Sequence, residues 1–165
     1  MTASETSTFE TLLSRLPAFQ GLDPDHLSWL AGRARPFHCT VGQDLLVADR
    51  MPEYCFCVID GRGRLLHSDP GLRRPVTLAL AQPGDLIGWV SLLRRSPCEW
   101  VTAATPLKLI GISREDFYEL ERRSEVFCRW LDQSNSPSEL ISALTPALRS
   151  RPHADPPERE VLRRL

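Results

Sequence analysis

Gln82 to Ala104 holds the residues best placed to do chemistry: Gln-Pro-Gly-Asp-Leu-Ile-Gly-Trp-Val-Ser-Leu-Leu-Arg-Arg-Ser-Pro-Cys-Glu-Trp-Val-Thr-Ala-Ala. A tight turn (Pro83-Gly84-Asp85) leads into a two-residue apolar strand stub, Leu86 and Ile87. Gly88 then opens a short helical run from Val90 to Leu93. After Pro97 comes a strand-like segment from Glu99 to Ala104. A glycine that leads straight into one helical turn leaves several backbone N–H groups unpaired and aimed the same way, an arrangement that holds anions, typically a phosphate. The candidate binding residues are therefore Ile87, Gly88, Trp89, Val90, Ser91, Leu92, Arg94, Arg95, Cys98, Glu99 and Trp100. Gly88, Ser91 and Leu92 would offer amides, and Arg94 and Arg95 would supply positive charge. Trp89 and Trp100 read either as a stacking floor for a flat ligand or as plugs of a closed pocket, and the plug is the expectation.

Other constellations carry less chemistry. Cys55-x-Cys57 places two thiols on one face of a strand, with Cα atoms roughly 6.6 Å apart, at the edge of what a disulfide tolerates. No second Cys/His pair stands at zinc-site spacing, so the pair reads as core packing on a strand buried on both sides, and no metal site is expected. His26, His38, His67 and His153 are scattered, and no nucleophile elbow or Walker loop is present, so no catalytic residue is expected. Glu115-Asp116 falls at a helix start, where acids complement the dipole.

The elements that must position the 82–104 segment follow from periodicity. Met1 to Thr8 reads as a disordered lead-in. Phe9, Leu12, Leu13 and Leu16 form a helical stripe that Pro17 stops. Asp23-Pro24 opens a second short helix, as N-cap and first helical residue, running to about Ala34. Short apolar runs then alternate with turns every 8 to 12 residues or so, the mark of an all-β sandwich or barrel. The runs are 36–40, 44–48, 54–59, 62–67, 75–81, 86–87, 99–104 and 107–112, with turns that include Val41-Gly42-Gln43, Asp60-Gly61 and Asp69-Pro70-Gly71. They fit a jelly-roll-like β-roll of about eight strands, mainly β with flanking helices. Helix returns at Ser113, an N-cap with Asp116 at the third position. A further piece spans Glu125 to Leu131, a short helix is expected over 138–148, and 150–157 is linker-like. The domain reading is thus 1–8 lead-in, 9–132 domain and 133–165 helical and linker segment. Glu158 to Leu165 opens an amphipathic helix that reads as the start of something longer.

Bulk composition bounds the class. The 165 residues are enough for one domain with a core, and 42% apolar with 25% charged is ordinary for a soluble globular protein. A net charge of −1 gives no electrostatic case for nucleic acid or anionic membrane. Lys108 is the only lysine, and the arginine bias reads as compositional. No stretch of about 18 apolar residues exists, and the N-terminus lacks the basic and apolar regions of a secretory signal. Five cysteines, an odd number, fit a cytoplasmic chain with free thiols.

The order of helix pair, β-roll, one-turn helix before the seventh strand and C-terminal helices resembles the cyclic-nucleotide-binding domains. The resemblance covers about Thr11 to Trp130. It rests on Leu16-Pro17-Ala18-Phe19-Gln20-Gly21-Leu22, Val41-Gly42-Gln43, Val58 to Leu65, Pro83 to Gly88, and Ile112-Ser113-Arg114-Glu115-Asp116-Phe117. It implies a cassette around Gly88 that grips a cyclic nucleotide or another anionic ligand. In that family a glutamate directly after the cassette glycine holds the ribose hydroxyl, and here that position is Trp89. An arginine later in the cassette bonds the cyclic phosphate. Counting back from Thr105 that position is Pro97, and anchoring on the proline instead makes it Cys98. Gly-Trp-Val-Ser-Leu-Leu with Glu99-Trp100-Val101 is also similar to N-terminal domains of some peptidase-containing ABC exporters.

The resemblance therefore implies a regulatory sensor or docking domain with a degenerate cassette, acting on a protein partner or fused effector and not an enzyme. The alternative is a working receptor that uses Arg94 or Arg95 as its anion anchor. A cupin-type enzyme fits least, because only His38 and His67 lie in the roll. With no recognition-helix pattern and no basic stripe, no nucleic-acid partner is expected. No membrane insertion is expected, and a docking patch or a dimer contact is expected on the C-terminal helices, on Val126, Trp130 and Leu131.

Overall fold

The computed structural model describes residues 3–68 and 74–137. Helix α1 (Ala3–Ser14) is followed by a 3-10 turn at Pro17–Phe19 and by α2 (Pro24–Ala31). Eight strands come next: β1 (Arg35–Cys39), β2 (Asp44–Leu46), β3 (Tyr54–Asp60), β4 (Gly63–His67), β5 (Val76–Ala81), β6 (Leu86–Ile87), β7 (Trp100–Ala103) and β8 (Leu107–Ser113). Helix α3 (Trp89–Leu93) stands between β6 and β7, and α4 (Arg114–Arg123) and α5 (Glu125–Gln133) close the described chain. The strands pair antiparallel in two four-stranded sheets, ordered β1-β8-β3-β6 and β2-β7-β4-β5. This is the jelly-roll-like architecture that the turn spacing predicts.

The sheets differ in how many faces they bury. Along β3 the side chains alternate. Phe56 and Val58 join Leu65, Val101, Leu107 and Leu109 between the two sheets. Cys55 and Cys57 turn the other way, with Ile110 and Ile112, onto a layer built from the helices. Buried on both faces, β3 reads as a continuous apolar run. Both thiols are fully buried, and burial pushes both well above the usual cysteine range. The helical layer contributes Leu13, Phe19, Leu30, Phe117, Leu120 and Phe127, with Phe19 and Phe127 stacked at 5.9 Å.

Local signals place the helices. Asp23 accepts from the Asp25 amide at 2.9 Å, with Pro24 as the first helical residue of α2. Ser113 accepts from the Asp116 amide at 3.1 Å and Ser124 from the Phe127 amide at 3.2 Å, capping α4 and α5. Gly61 has φ +90°, and a Cβ there would stand 2.1 Å from the Pro106 carbonyl oxygen, so the hairpin needs glycine.

One expectation needs correction. The first helix begins at Ala3, inside the segment read as a disordered lead-in. Within it the Thr11 hydroxyl donates to the Ser7 carbonyl at 3.0 Å. The apolar face of α5 is partly committed to the domain itself. Leu131 is buried, Val126 and Trp130 are half-buried, and Trp130 stacks on Phe127 at 6.1 Å. Part of that face therefore packs on the domain's own helical layer, and part stays accessible. The turn at 69–71, the helix expected over 138–148, the linker at 150–157 and the final segment lie outside the described residues, apart from 68 and 74 on either side of the turn.

Candidate functional site

The site grows from β6. Ile87 and Leu86 pair with Phe56 and Cys57 of β3, which fixes where the chain leaves the sheet. Gly88 then adopts φ 85° and ψ −10°, the left-handed region. A Cβ there would come within 3.3 Å of the Tyr54 carbonyl oxygen and the Leu46 methyl. Glycine alone combines that backbone angle with so close an approach. The turn it makes launches α3, five residues long, with Trp89, Val90, Ser91 and Leu92 all buried.

A glycine N-cap has no side chain to satisfy the first amides of its helix. The acceptor comes from across the loop. The Gly88 N–H donates to Glu99 Oε1 at 3.0 Å, and the Ser91 N–H donates to Glu99 Oε2 at 2.9 Å. The Ser91 hydroxyl in turn accepts from the amides of Cys98 and Glu99, each at 3.2 Å. Glu99 is 2% exposed, and no cation pairs with it among the described residues. Burial pushes its carboxyl above the usual range, while the amides of Ser91, Gly88 and Val90 and the Ser91 hydroxyl pull the other way. The cradle of amides expected for an external anion thus holds the chain's own carboxylate.

Beside α3 lies a cleft of about 270 Å³, walled by β5 (Ala79, Leu80, Ala81), by Leu65, Ile87 and Trp89, and by Trp130 with residues 134–137. Among the described residues its only charged wall residue is Asp85, so these walls offer no cation to a phosphate. Trp89 is 5% exposed and meets the Trp130 ring at 5.5 Å and 60°. It packs with the helical layer and forms one wall of the cleft.

The remaining predicted residues scatter. Val90 and Leu92 point into the helical layer. Arg94 is exposed. Arg95 does not turn toward Gly88: its guanidinium lies over the Tyr118 ring at 4.2 Å and reaches Glu121 at 3.5 Å, on α4. Cys98 is half-buried, its sulfur 3.5 Å from the Ser91 hydroxyl. Trp100 also stands apart. Its neighbour Val101 faces the space between the sheets, so Trp100 faces outward, where its Nε1–H donates to Asp44 at 2.9 Å. The sequence places Glu99 among the residues that would meet a ligand, whereas its carboxylate accepts from the amides of Gly88 and Ser91. The available signal was a lone acid in the apolar run Cys98-Glu99-Trp100-Val101. The cleft walls from β5 and α5 had no signal in the 82–104 segment.

Known proteins match the fold. The regulatory domain of Toxoplasma gondii PKA with cAMP superposes with a TM-score of 0.67 at 20% identity, over 87% of this chain and 51% of that one. The regulatory subunit of a cAMP-independent protein kinase A from Trypanosoma cruzi, bound to guanosine, gives 0.74 at 18% identity, over 90% and 52%. The catabolite activator protein of Thermus thermophilus gives 0.62 at 26% identity, over 79% and 59%. The chain spans little more than half the length of these solved chains. No curated protein matches it in sequence. The family model described as the cyclic nucleotide-binding domain matches residues 37–124, more than half of the 165. With the β-roll, the Gly88 turn and the helical layer all in place, the chain belongs to the cyclic nucleotide-binding domain family.

Proposed function

We propose that this chain is a regulatory domain of that family in which cAMP and cGMP binding is lost, and that it controls an attached or partner protein without catalysing a reaction. The observation that carries the reading is the Glu99 carboxylate on the amides of Gly88 and Ser91. A phosphate brought to those amides would meet a negative charge already bonded there. The resemblance adds two losses: Trp89 stands where the family places its sugar-holding carboxylate, and Pro97 or Cys98 where it places its phosphate-holding arginine. A hydrogen bond to a charged group contributes about 1.5–3 kcal/mol, so losing two weakens binding by on the order of 100-fold or more. The alternative is a receptor anchored by Arg94 or Arg95; Arg95 would first have to break its contacts with Tyr118 and Glu121, while Arg94 is exposed.

The Trypanosoma cruzi neighbour is the regulatory subunit of a cAMP-independent protein kinase A, which supports a reading in which this fold regulates without cAMP. The likeness of residues 88–101 to exporter N-terminal domains makes a transporter the effector class to test first. Five cysteines without a disulfide support a reducing, cytoplasmic setting, and no helix among the described residues is long and apolar enough to cross a membrane.

Calorimetric titration with cAMP, cGMP and cyclic dinucleotides tests the reading. The expected outcome is no dissociation constant tighter than about 100 µM. A low-micromolar constant for any of them overturns it.

A further inference from the structure

Two acids are buried among the described residues, Asp116 and Glu99. Asp116 has Arg33 for a partner and helps to cap α4. Glu99 has amides and no arginine, and its role is not explained by capping a surface helix, because α3 is buried along four of its five residues. What the contacts do explain is position. At its start α3 is tied to the roll by Glu99, and the loop that follows is folded back by Ser91, whose carbonyl accepts from the Ser96 amide at 3.1 Å. At its end the Leu92 carbonyl accepts from the Tyr118 hydroxyl of α4 at 3.2 Å. Arg95, held at φ 52°, lies over the same Tyr118 ring and reaches Glu121. The Glu121 carbonyl then accepts from the Cys128 thiol of α5 at 2.8 Å. A run of contacts therefore leads from the Glu99 carboxylate through α3 to α4 and α5.

We propose that Glu99 is a built-in ligand: its carboxylate fixes α3 in one position and, through Leu92, Arg95 and Tyr118, sets the placement of α4 and α5 with no small molecule bound. The inference rests on the reading of the chain as a regulatory domain with a self-filled cradle. It adds the residue that controls the output helices and the route by which it does so. The output state is then written into the sequence at position 99. Whatever changes it must act on Glu99, by protonating the carboxyl or by pulling the loop that carries it. The titratable groups around that carboxyl are the Cys55 thiol from β3 and Cys98 on its own loop. Arg94 and Arg95 at the end of α3 are exposed, with Arg95 committed to Tyr118 and Glu121 of α4, and Asp44 of β2 holds the neighbouring Trp100.

Amide hydrogen exchange on the full chain, followed residue by residue, tests the route. Glu99→Ala is compared with the parent and with Leu109→Ala, a cavity variant between the sheets and away from α3. In Glu99→Ala the amides of Gly88 and Ser91 should exchange about tenfold faster or more, and those of the α4–α5 junction should follow, while Leu109→Ala raises exchange without singling out these segments. Unchanged protection at Gly88 and Ser91 overturns the proposal. So does a loosened α3 beside an unchanged α4 and α5. Should Glu99→Ala fail to fold, the parent alone suffices. On lowering pH, the Glu99 carboxyl carbon, the Gly88 and Ser91 amides and the Tyr118 ring should shift with one common midpoint. A Tyr118 ring that does not follow the Glu99 midpoint counts against the proposal. Failure here with no nucleotide bound in titration leaves the regulatory reading standing, whereas tight nucleotide binding removes that reading itself.

Discussion

Helices α3 and α4 both begin beside a buried carboxylate, Glu99 and Asp116, yet the two starts are built differently. At α4 everything is local. Ser113 caps the helix from the position before it, Asp116 lies three residues on, and the hydroxyl of one bonds the carboxylate of the other at 2.7 Å. Arg33, two residues past the end of α2, balances the charge. At α3 the cap position is a glycine with nothing to offer, and the acceptor arrives from eight and eleven residues away. No cation balances it among the described residues. The α4 start is a self-sufficient cap whose loss should stay local. The α3 start is a long-range tie between helix, loop and sheet, and whatever breaks it should be felt at a distance.

The largest expected effect comes from Trp89, the first residue of α3. It is nearly buried and packs edge-on against Trp130, whereas Arg114, the first residue of α4, is half-buried and in contact with Glu115 at 3.8 Å. Truncating a buried aromatic costs about 3–5 kcal/mol. Trp89→Ala should therefore lower the melting temperature by many degrees, at about 2–8 °C per kcal/mol for domains of this size range. It should leave the response to nucleotides unchanged. A variant that melts within about 1 °C of the parent would show that the indole is a surface platform and not a packed wall, given that scale.

The same contrast explains what could be read from the amino acids alone. The α4 start was legible because its signal sits inside four consecutive residues, Ser113 to Asp116. The β-roll was legible for a similar reason, since turns such as Asp60-Gly61 and Pro83-Gly84-Asp85 and the alternation along β3 are local patterns. Gly88 and the helical run after it were legible as well. The pairing of Glu99 with that glycine was not, because it depends on the path of the loop through Ser96, Pro97 and Cys98, which no local period encodes. Arg95 misled for the opposite reason. Nearness in sequence put it beside the cradle, but the positive φ at that residue turns it to Tyr118. Trp100 misled because one step along a strand reverses the face.

Next in size is the pH dependence of Glu99. Burial holds its carboxyl above the ordinary 4.5, so the folded chain binds that proton more tightly than the unfolded chain does. The stability this contributes is complete below pH 4.5 and is lost as pH rises through the folded value. Glu99→Gln is neutral throughout and lacks the loss. Urea unfolding of parent and variant at steps from pH 4 to pH 8 should show the parent losing ground to the variant as pH rises, then a constant difference above the folded value. A difference that is flat across the range, or that moves in the parent's favour, would mean that the amides of Gly88, Val90 and Ser91 outweigh the cost of burial.

The smallest effect is the one that tests locality directly. Ser113→Ala removes the hydroxyl that accepts from the Asp116 amide and donates to the Asp116 carboxylate. Loss of a serine N-cap typically costs about 1 kcal/mol, within a range of about 0.5–2. The melting temperature should fall by a few degrees, far less than for Trp89→Ala. The amides freed by the change belong to the first turn of α4, and Asp116 keeps its contact with Arg33, so exchange should quicken at residues 114–117 and stay as in the parent at Gly88, Ser91 and throughout α5. Quickened exchange in α3 as well would mean that the two helix starts are coupled in both directions, and that α4 is not the passive receiver of a position set by Glu99. A cost near zero would place the work of the α4 start on Asp116 and Arg33, leaving Ser113 as a spacer in its turn.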